Sequence, residues 1–318
     1  MDTSFNTRTR IAKSEFGIDV AKLLVESVIL VYCSSGQQWR GPFASVIATC
    51  QKLVDGAIKG YVREVEIQLM CAKISDVTSF ESVSTWQQPV PDPASGLRTR
   101  LISEVANRIR QISSRRLRVA IDGRTGAGKT SFGHELATAL RTLGRSTLRA
   151  SFDDFKHPWR DARERGYDRV TGEGYYRNAY DFRSAVDLLL VPAGRDGSGD
   201  VVLCAHDPLT GVDHRSTVVR APDDAVLIVD SVFLLRPEYE PYWDYRVWLE
   251  VNPHIAVERG IRRDVIAEGI EEATRVRRDR YGPAEEIYIA EVCPAGKSDL
   301  VIDNNDLSQP KILRWDSE

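Results

Sequence analysis

Residues 123–130 read Gly-Arg-Thr-Gly-Ala-Gly-Lys-Thr, a full match to the pattern G-x-x-x-x-G-K-[ST]. Glycines at this spacing let backbone amides converge on phosphate oxygens, and a following helix turns its positive N-terminal end toward them. Lys129 would reach the β- and γ-phosphates, and the Thr130 hydroxyl would bind Mg²⁺. An apolar strand, Val119-Ala-Ile121, precedes the loop and an amphipathic helix follows it, which is the context such a loop needs. The stretch reads as a nucleotide site, with Gly123, Arg124, Thr125, Gly126, Ala127, Gly128, Lys129, Thr130 and Ser131 as its contacts.

Two acidic segments follow. Asp153 and Asp154 sit at the carboxyl end of the next expected strand, the side on which open parallel sheets bind ligands. A carboxylate there can accept a proton from an attacking hydroxyl or help place a metal; the alternative is an Asp pair that caps a turn. Asp153 is the preferred candidate. The run Ala225-Val-Leu-Ile-Val-Asp230 has the form of a strand ending in a Mg²⁺-holding acid. Ser231 follows where many water-activating ATPases carry Glu, so transfer to a substrate hydroxyl fits better than hydrolysis. Arginines gather from Arg259 to Arg280, most of them expected on a solvated helix in i,i+4 pairs. Arg259 and Arg263 are the candidates for contact with a transferring phosphoryl group. His206-Asp207 and Asp213-His214 flank a turn without helical metal-ligand spacing, which leaves substrate contact or plain surface roles. His134, on the helix after the loop, reads as structural.

These residues need elements to hold them. Leu97, Leu101, Val105, Ile109 and Ile112 trace an amphipathic helix. Strands are expected near 117–121, 146–151, 201–204, 225–229, 245–251 and 300–302, separated by helical patterns, and the Gly-loop helix runs from about Lys129 to Leu143. Strands alternating with helices imply a mainly parallel sheet covered on both faces. Pro89, Pro91 and Pro93 mark 84–96 as a linker between an extension, 1–83, and a nucleotide-binding domain, 97–318. The extension has a helical face at 46–58 and an alternating stretch at 65–71, but no catalytic constellation. An appendage, a start at Met70 and a regulatory role all remain open for it.

With 318 residues, 42% hydrophobic, 28% charged and a formal net charge of −3, the composition is that of a soluble globular chain. There is no cationic excess for nucleic acid. The most apolar stretch, 23–33, is interrupted by Glu26 and falls short of the roughly 20 residues a membrane span needs. Five scattered cysteines form no C-x-x-C pair, so a reducing, cytoplasmic setting is expected.

The order of these motifs resembles the uridine kinase family of phosphate-loop kinases, a group that includes relatives of phosphoribulokinase and bacterial pantothenate kinase. The resemblance spans 97–313. It rests on the loop 123–130, Asp153-Asp-Phe155, Tyr176-Arg-Asn-Ala-Tyr-Asp181, Val229-Asp230-Ser231 and Arg259-x-x-x-Arg263-Asp264. In the tail it rests on Arg280-Tyr-Gly-Pro283, Glu291-Val-Cys-Pro294 and Asp299-Leu-Val-Ile-Asp303-Asn304. It implies an α/β phosphate-loop kinase with a five-stranded, mainly parallel sheet, and ATP- or GTP-dependent, Mg²⁺-assisted phosphorylation of a nucleoside 5′-hydroxyl, that of uridine or cytidine. Asp153 would be the catalytic carboxylate, acting with Lys129, and Arg259 and Arg263 would serve a lid. Asp230 would stand for a family glutamate near the metal beside Thr130. His206-Asp207-Pro208 stands at the family's Tyr-Asp-Phe nucleoside contact. An aromatic platform for a pyrimidine is expected from Tyr175, Tyr176 or Tyr180. Family members often oligomerise. The alternatives are a kinase for another small alcohol, pantothenate-like or sugar, and a nucleotide-dependent regulator. The sequence has neither the Asn-Lys-x-Asp of GTPase switches nor the Leu-Ser-Gly-Gly-Gln of transporter ATPases.

Overall fold

A strand buried on both faces needs apolar side chains in both directions, and 119–121 and 226–229 supply them without a break. The computed structural model describes residues 77–86 and 94–315. The expected features at 46–58 and 65–71, and the three linker prolines, lie outside the described residues. The chain divides between Lys73 and Ile74, and everything below belongs to the second unit.

In chain order the elements are β1 (Ser79–Glu81), α1 (Gly96–Ile112), β2 (Leu117–Gly123), α2 (Lys129–Thr142) and β3 (Thr147–Ser151). Next come α3 (Trp159–Glu164), α4 (Gly172–Asn178), α5 (Phe182–Ala185), β4 (Asp200–Val202), β5 (Val218–Arg220), β6 (Val226–Asp230) and β7 (Tyr245–Glu250). The chain ends with α6 (Pro253–Glu268), α7 (Ile270–Val276), α8 (Gly282–Val292), α9 (Pro294–Lys297), β8 (Leu300–Asp303) and β9 (Lys311–Trp315).

Among the described residues the main sheet has seven strands, in the order β1-β3-β6-β2-β7-β8-β9. All its neighbours are parallel except β8 and β9. Five of the six expected strands form its middle. The two additional ones are edges, short and half-exposed, so neither carries a continuous apolar run. β1 arises from the stretch expected to lie ahead of the sheet domain. The expected strand at 201–204 is β4 in part; it is buried, but it pairs antiparallel with β5 as a separate ribbon.

Alternation along the strands divides the core. Val119, Ile121, Val247 and Ile302 pack against α1 and α2, whereas Ala120, Leu227, Trp248 and Val301 face an aromatic layer that includes Phe152, Tyr176, Phe233 and Tyr288. α1 buries Leu101, Val105 and Ile109 as expected, while Leu97 and Ile112, at its ends, are exposed. No helix among the described residues is long and apolar enough to cross a membrane.

Candidate active site

β2 leads into the glycine loop at the carboxyl edge of the sheet, and α2 starts at Lys129. Gly126 and Gly128 have φ of 87° and 88°, a left-handed conformation that a side chain would strain. At Gly126 a Cβ would also stand 2.2 Å from the Ala256 carbonyl oxygen on α6. The first helical bond of α2 is donated by the Phe132 amide to the Gly128 carbonyl, so the amides before it face outward, as an anion site requires.

A cleft of about 1380 Å³ opens over this edge, and Thr125, Gly126, Gly128, Lys129, Thr130 and Ser131 line it. Gly123, Arg124 and Ala127 do not; they brace the loop instead. The Arg124 guanidinium pairs with Glu286 at 2.8 Å, and the Ala127 carbonyl accepts from Asn304 Nδ2 at 2.7 Å. The Thr125 amide donates to Glu285 Oε1 at 2.7 Å, so an α8 carboxylate occupies a donor that the sequence assigned to phosphate. Lys129 Nζ donates to the Gly123 and Arg124 carbonyls, both at 2.9 Å. Burial disfavours its charge and lowers its pKa, opposed by Asp122, Glu285, Asp230 and Asp153.

Thr130 Oγ1 donates to Asp230 Oδ2 at 2.6 Å. That leaves the hydroxyl's lone pairs for a cation, and an all-oxygen donor set beside a phosphate cradle suits Mg²⁺. Asp230 has a second partner that the sequence reading missed, the buried Arg149 guanidinium on β3, with Nη2 2.5 Å from Oδ1. An arginine in the middle of a buried strand is a legible signal, since it demands a buried acid.

Asp153 lies in the single 3₁₀ turn after β3, where Ser151 Oγ accepts its amide, and it lines the cleft. Burial alone would raise its carboxyl. Lys156, whose Nζ is 2.8 Å away, with Lys129 and Arg263, outweighs that and holds it below the usual carboxylate range. Asp154 turns the other way, buried, and accepts from Ser82 Oγ at 2.6 Å; burial raises it to about 7. Asp122, at the end of β2, is also buried and raised to about 6, and accepts from the Tyr288 hydroxyl at 2.5 Å.

On α6, Arg259 and Arg263 both line the cleft. Arg259 donates to the Asn304 and Asn305 carbonyls at 3.0 and 2.5 Å, and Arg263 pairs with Asp264 at 2.6 Å. Arg275 and Arg278 form exposed pairs with Glu272 and Asp279, as a solvated face should, but Arg277 is buried against Asp264.

The acceptor-side expectations divide. His206 lines the cleft. Asp207 borders it too, but its carboxylate is consumed by its own surroundings, accepting from the amides of Thr85, Leu209 and Thr210 and from the Thr85 hydroxyl. Tyr176 is not a platform at the cleft. It is 2% exposed and packs edge-on to Phe233, with the Arg236 guanidinium 4.8 Å from its ring. Tyr180 is likewise buried, with its hydroxyl 3.2 Å from Ser231 Oγ. Tyr175 does line the cleft, as do Tyr281 and Trp86, which the sequence reading did not single out for contact.

No family model matches the sequence, and no curated protein does so either. Among solved structures, a candidate fructose transport system kinase from Silicibacter sp. TM1040 superposes with a TM-score of 0.51 at 19% identity, covering 59% of this chain and 94% of that one. A candidate uridine kinase from Bacillus stearothermophilus gives 0.48 at 24% identity, over 64% of this chain and 96% of that one. The YGR205w protein gives 0.49 at 14%, over 69% and 100%. The sheet with its glycine loop and cleft is the fold of the phosphate-loop kinases.

Proposed function

We propose that this protein transfers the γ-phosphoryl group of ATP or GTP to the 5′-hydroxyl of a nucleoside, uridine or cytidine. The observation that carries the reading is Asp153, an ionised carboxylate lining the same cleft as Lys129 and Arg263. The triphosphate would lie on the amides of Gly126, Gly128 and the first turn of α2, with Lys129 at its outer phosphates. Thr130, fixed by Asp230, would hold Mg²⁺, which when bound neutralises charge on the β- and γ-phosphates.

The acceptor oxygen forms a bond to phosphorus as the bond to the bridging oxygen breaks, and the nucleoside diphosphate leaves. Asp153 accepts a hydrogen bond from the acceptor hydroxyl and takes its proton as the new ester forms. A carboxylate held below the usual range is a weak base, so orientation dominates and the proton moves late. Arg263 and Arg259, on the α6 wall, would offset charge on the equatorial oxygens. A sugar-like or pantothenate-like alcohol is the second reading, favoured by Lys156 and Arg215 on the cleft wall, which suit a polar acceptor.

The test is release of ADP or GDP by the full chain with Mg²⁺ and a panel of uridine, cytidine, adenosine, pantothenate and ribose-type alcohols. Turnover with a pyrimidine nucleoside is expected. Intact ATP binding with no turnover on any member would overturn the kinase reading in favour of a regulator.

A further inference from the structure

β1 runs parallel to β3, with Ser79 opposite Thr147 and Glu81 opposite Arg149. It therefore leaves the sheet at the same edge at which β3 delivers Asp153. The next five residues do not depart as a free linker. The Ser82 amide donates to the Arg149 carbonyl at 3.2 Å and its hydroxyl to Asp154 at 2.6 Å. Ser82 and Ser84 side chains accept the Ser84 and Trp86 amides, both at 3.2 Å, which curls the backbone. Thr85 then closes on Asp207, amide to Oδ2 at 2.6 Å and hydroxyl to Oδ1 at 3.0 Å.

Asp207 is 1% exposed and also caps its own loop through the Leu209 and Thr210 amides, at 2.9 and 2.8 Å. One carboxylate thus ties two walls together. The loop it caps carries His206, Pro208 and Leu209 into the cleft, and the segment it clamps carries Trp86 into the same cleft. The Ala205 and His206 amides both donate to the Asp154 carbonyl at 3.0 Å, which links this assembly to the residue next to Asp153.

We propose that Trp86 is a specificity-determining residue of the acceptor pocket, offering a flat indole to a planar acceptor such as a nucleobase, and that the Thr85–Asp207 clamp is the positioning device that holds it there. The inference rests on the kinase reading above. It assigns to the start of the expected linker the aromatic contact that Tyr176 and Tyr180, both buried, do not make.

The test uses the full chain and compares wild type with Trp86→Ala, Trp86→Phe, Trp86→Leu and Thr85→Val, measuring KM for the phosphorylated nucleoside, KM for ATP and kcat. Loss of a stacked face costs about 5- to 150-fold in affinity. Trp86→Ala should raise the nucleoside KM by that factor while the ATP KM stays within about twofold. Phe should restore most of the loss and Leu, apolar but not planar, should not. Thr85→Val should shift the same KM in the same direction by less. If Trp86→Ala is poorly folded, the Phe and Leu pair decides. Wild type that phosphorylates a nucleoside, with the Trp86 variants unchanged in nucleoside KM, or changed equally in both KM values, overturns this inference alone. Wild type that binds Mg²⁺-ATP but neither binds nor phosphorylates any nucleoside overturns the nucleoside-kinase reading, and this inference with it.

Discussion

Arg149→Met removes a guanidinium from the interior of the site without touching the cleft wall. Arg149 is 4% exposed, and its Nη1 donates to the Ile228 carbonyl at 2.7 Å while Nη2 pairs with Asp230 at 2.5 Å. Gly133 on α2 makes the room, because a Cβ there would stand 2.7 Å from the guanidinium carbon. In the variant Asp230, 3% exposed, keeps only the Thr130 hydroxyl on its other oxygen. Removing one partner of a buried ion pair costs about 3–5 kcal/mol, mostly through the uncompensated charge left behind. At about 2–4 °C per kcal/mol for a body of this size, the melting temperature should fall by ~6–20 °C. Adding Asp230→Asn removes the stranded charge, so the double variant should recover at least ~2 kcal/mol over the single one. Thermal and urea denaturation of the nucleotide-free full chain, followed by circular dichroism, measures both. Mg²⁺ with ADP should narrow the gap between Arg149→Met and wild type, since a cation then stands near the orphaned carboxylate. A fall of under ~2 °C, or a double variant no better than the single, would refute the reasoning.

Three further outcomes are expected. Burial raises Asp154 from its ordinary value to about 7, so the folded state binds this proton more tightly and wild type loses stability as pH rises from about 4 through about 7. Asp154→Asn, always neutral, should therefore melt higher than wild type at pH 8.5, by at most ~4 kcal/mol, with the gain vanishing near pH 4. Glu285→Gln replaces the charged acceptor of the Thr125 amide by a neutral one and should cost about 1–2 kcal/mol of stability, read by urea denaturation of the nucleotide-free chain. Tyr176→Leu should cost about 2–4 kcal/mol of stability through the cavity it leaves and leave the nucleoside KM unchanged, which steady-state kinetics and a melting curve together would show.

The parts of the fold carried by unbroken apolar runs could be read from the sequence. β2, β6, β7 and β8 are buried on both faces and each reads as such. β1 and β9 could not, because an edge strand needs only one apolar face and three to five residues leave little pattern. The glycine loop was legible because its chemistry fixes residue types at fixed offsets. The aromatic pocket was not. Tyr175, Tyr176 and Tyr180 look alike in sequence; all three are buried in the core, and only packing leaves the first with an edge on the cleft. Glu285 and Trp86 could not be read because each meets its partner or the cleft through tertiary contacts, Glu285 standing 160 positions from Thr125; Arg149 inside a strand signals a buried acid but does not say which, and Asp230 is 81 positions on. Asp207 was found, but as a substrate contact, whereas its four hydrogen bonds make it the clamp of two walls.

The central claim is that Asp153 serves phosphoryl transfer to an alcohol in this cleft. It is tested most directly by kcat of Asp153→Asn beside wild type, with Mg²⁺-ATP and uridine or cytidine, and the Kd for ATP measured on the same preparations. The account predicts a fall in kcat of about 10²- to 10⁴-fold with ATP affinity kept within about threefold. A variant that turns over at close to the wild-type rate would contradict it.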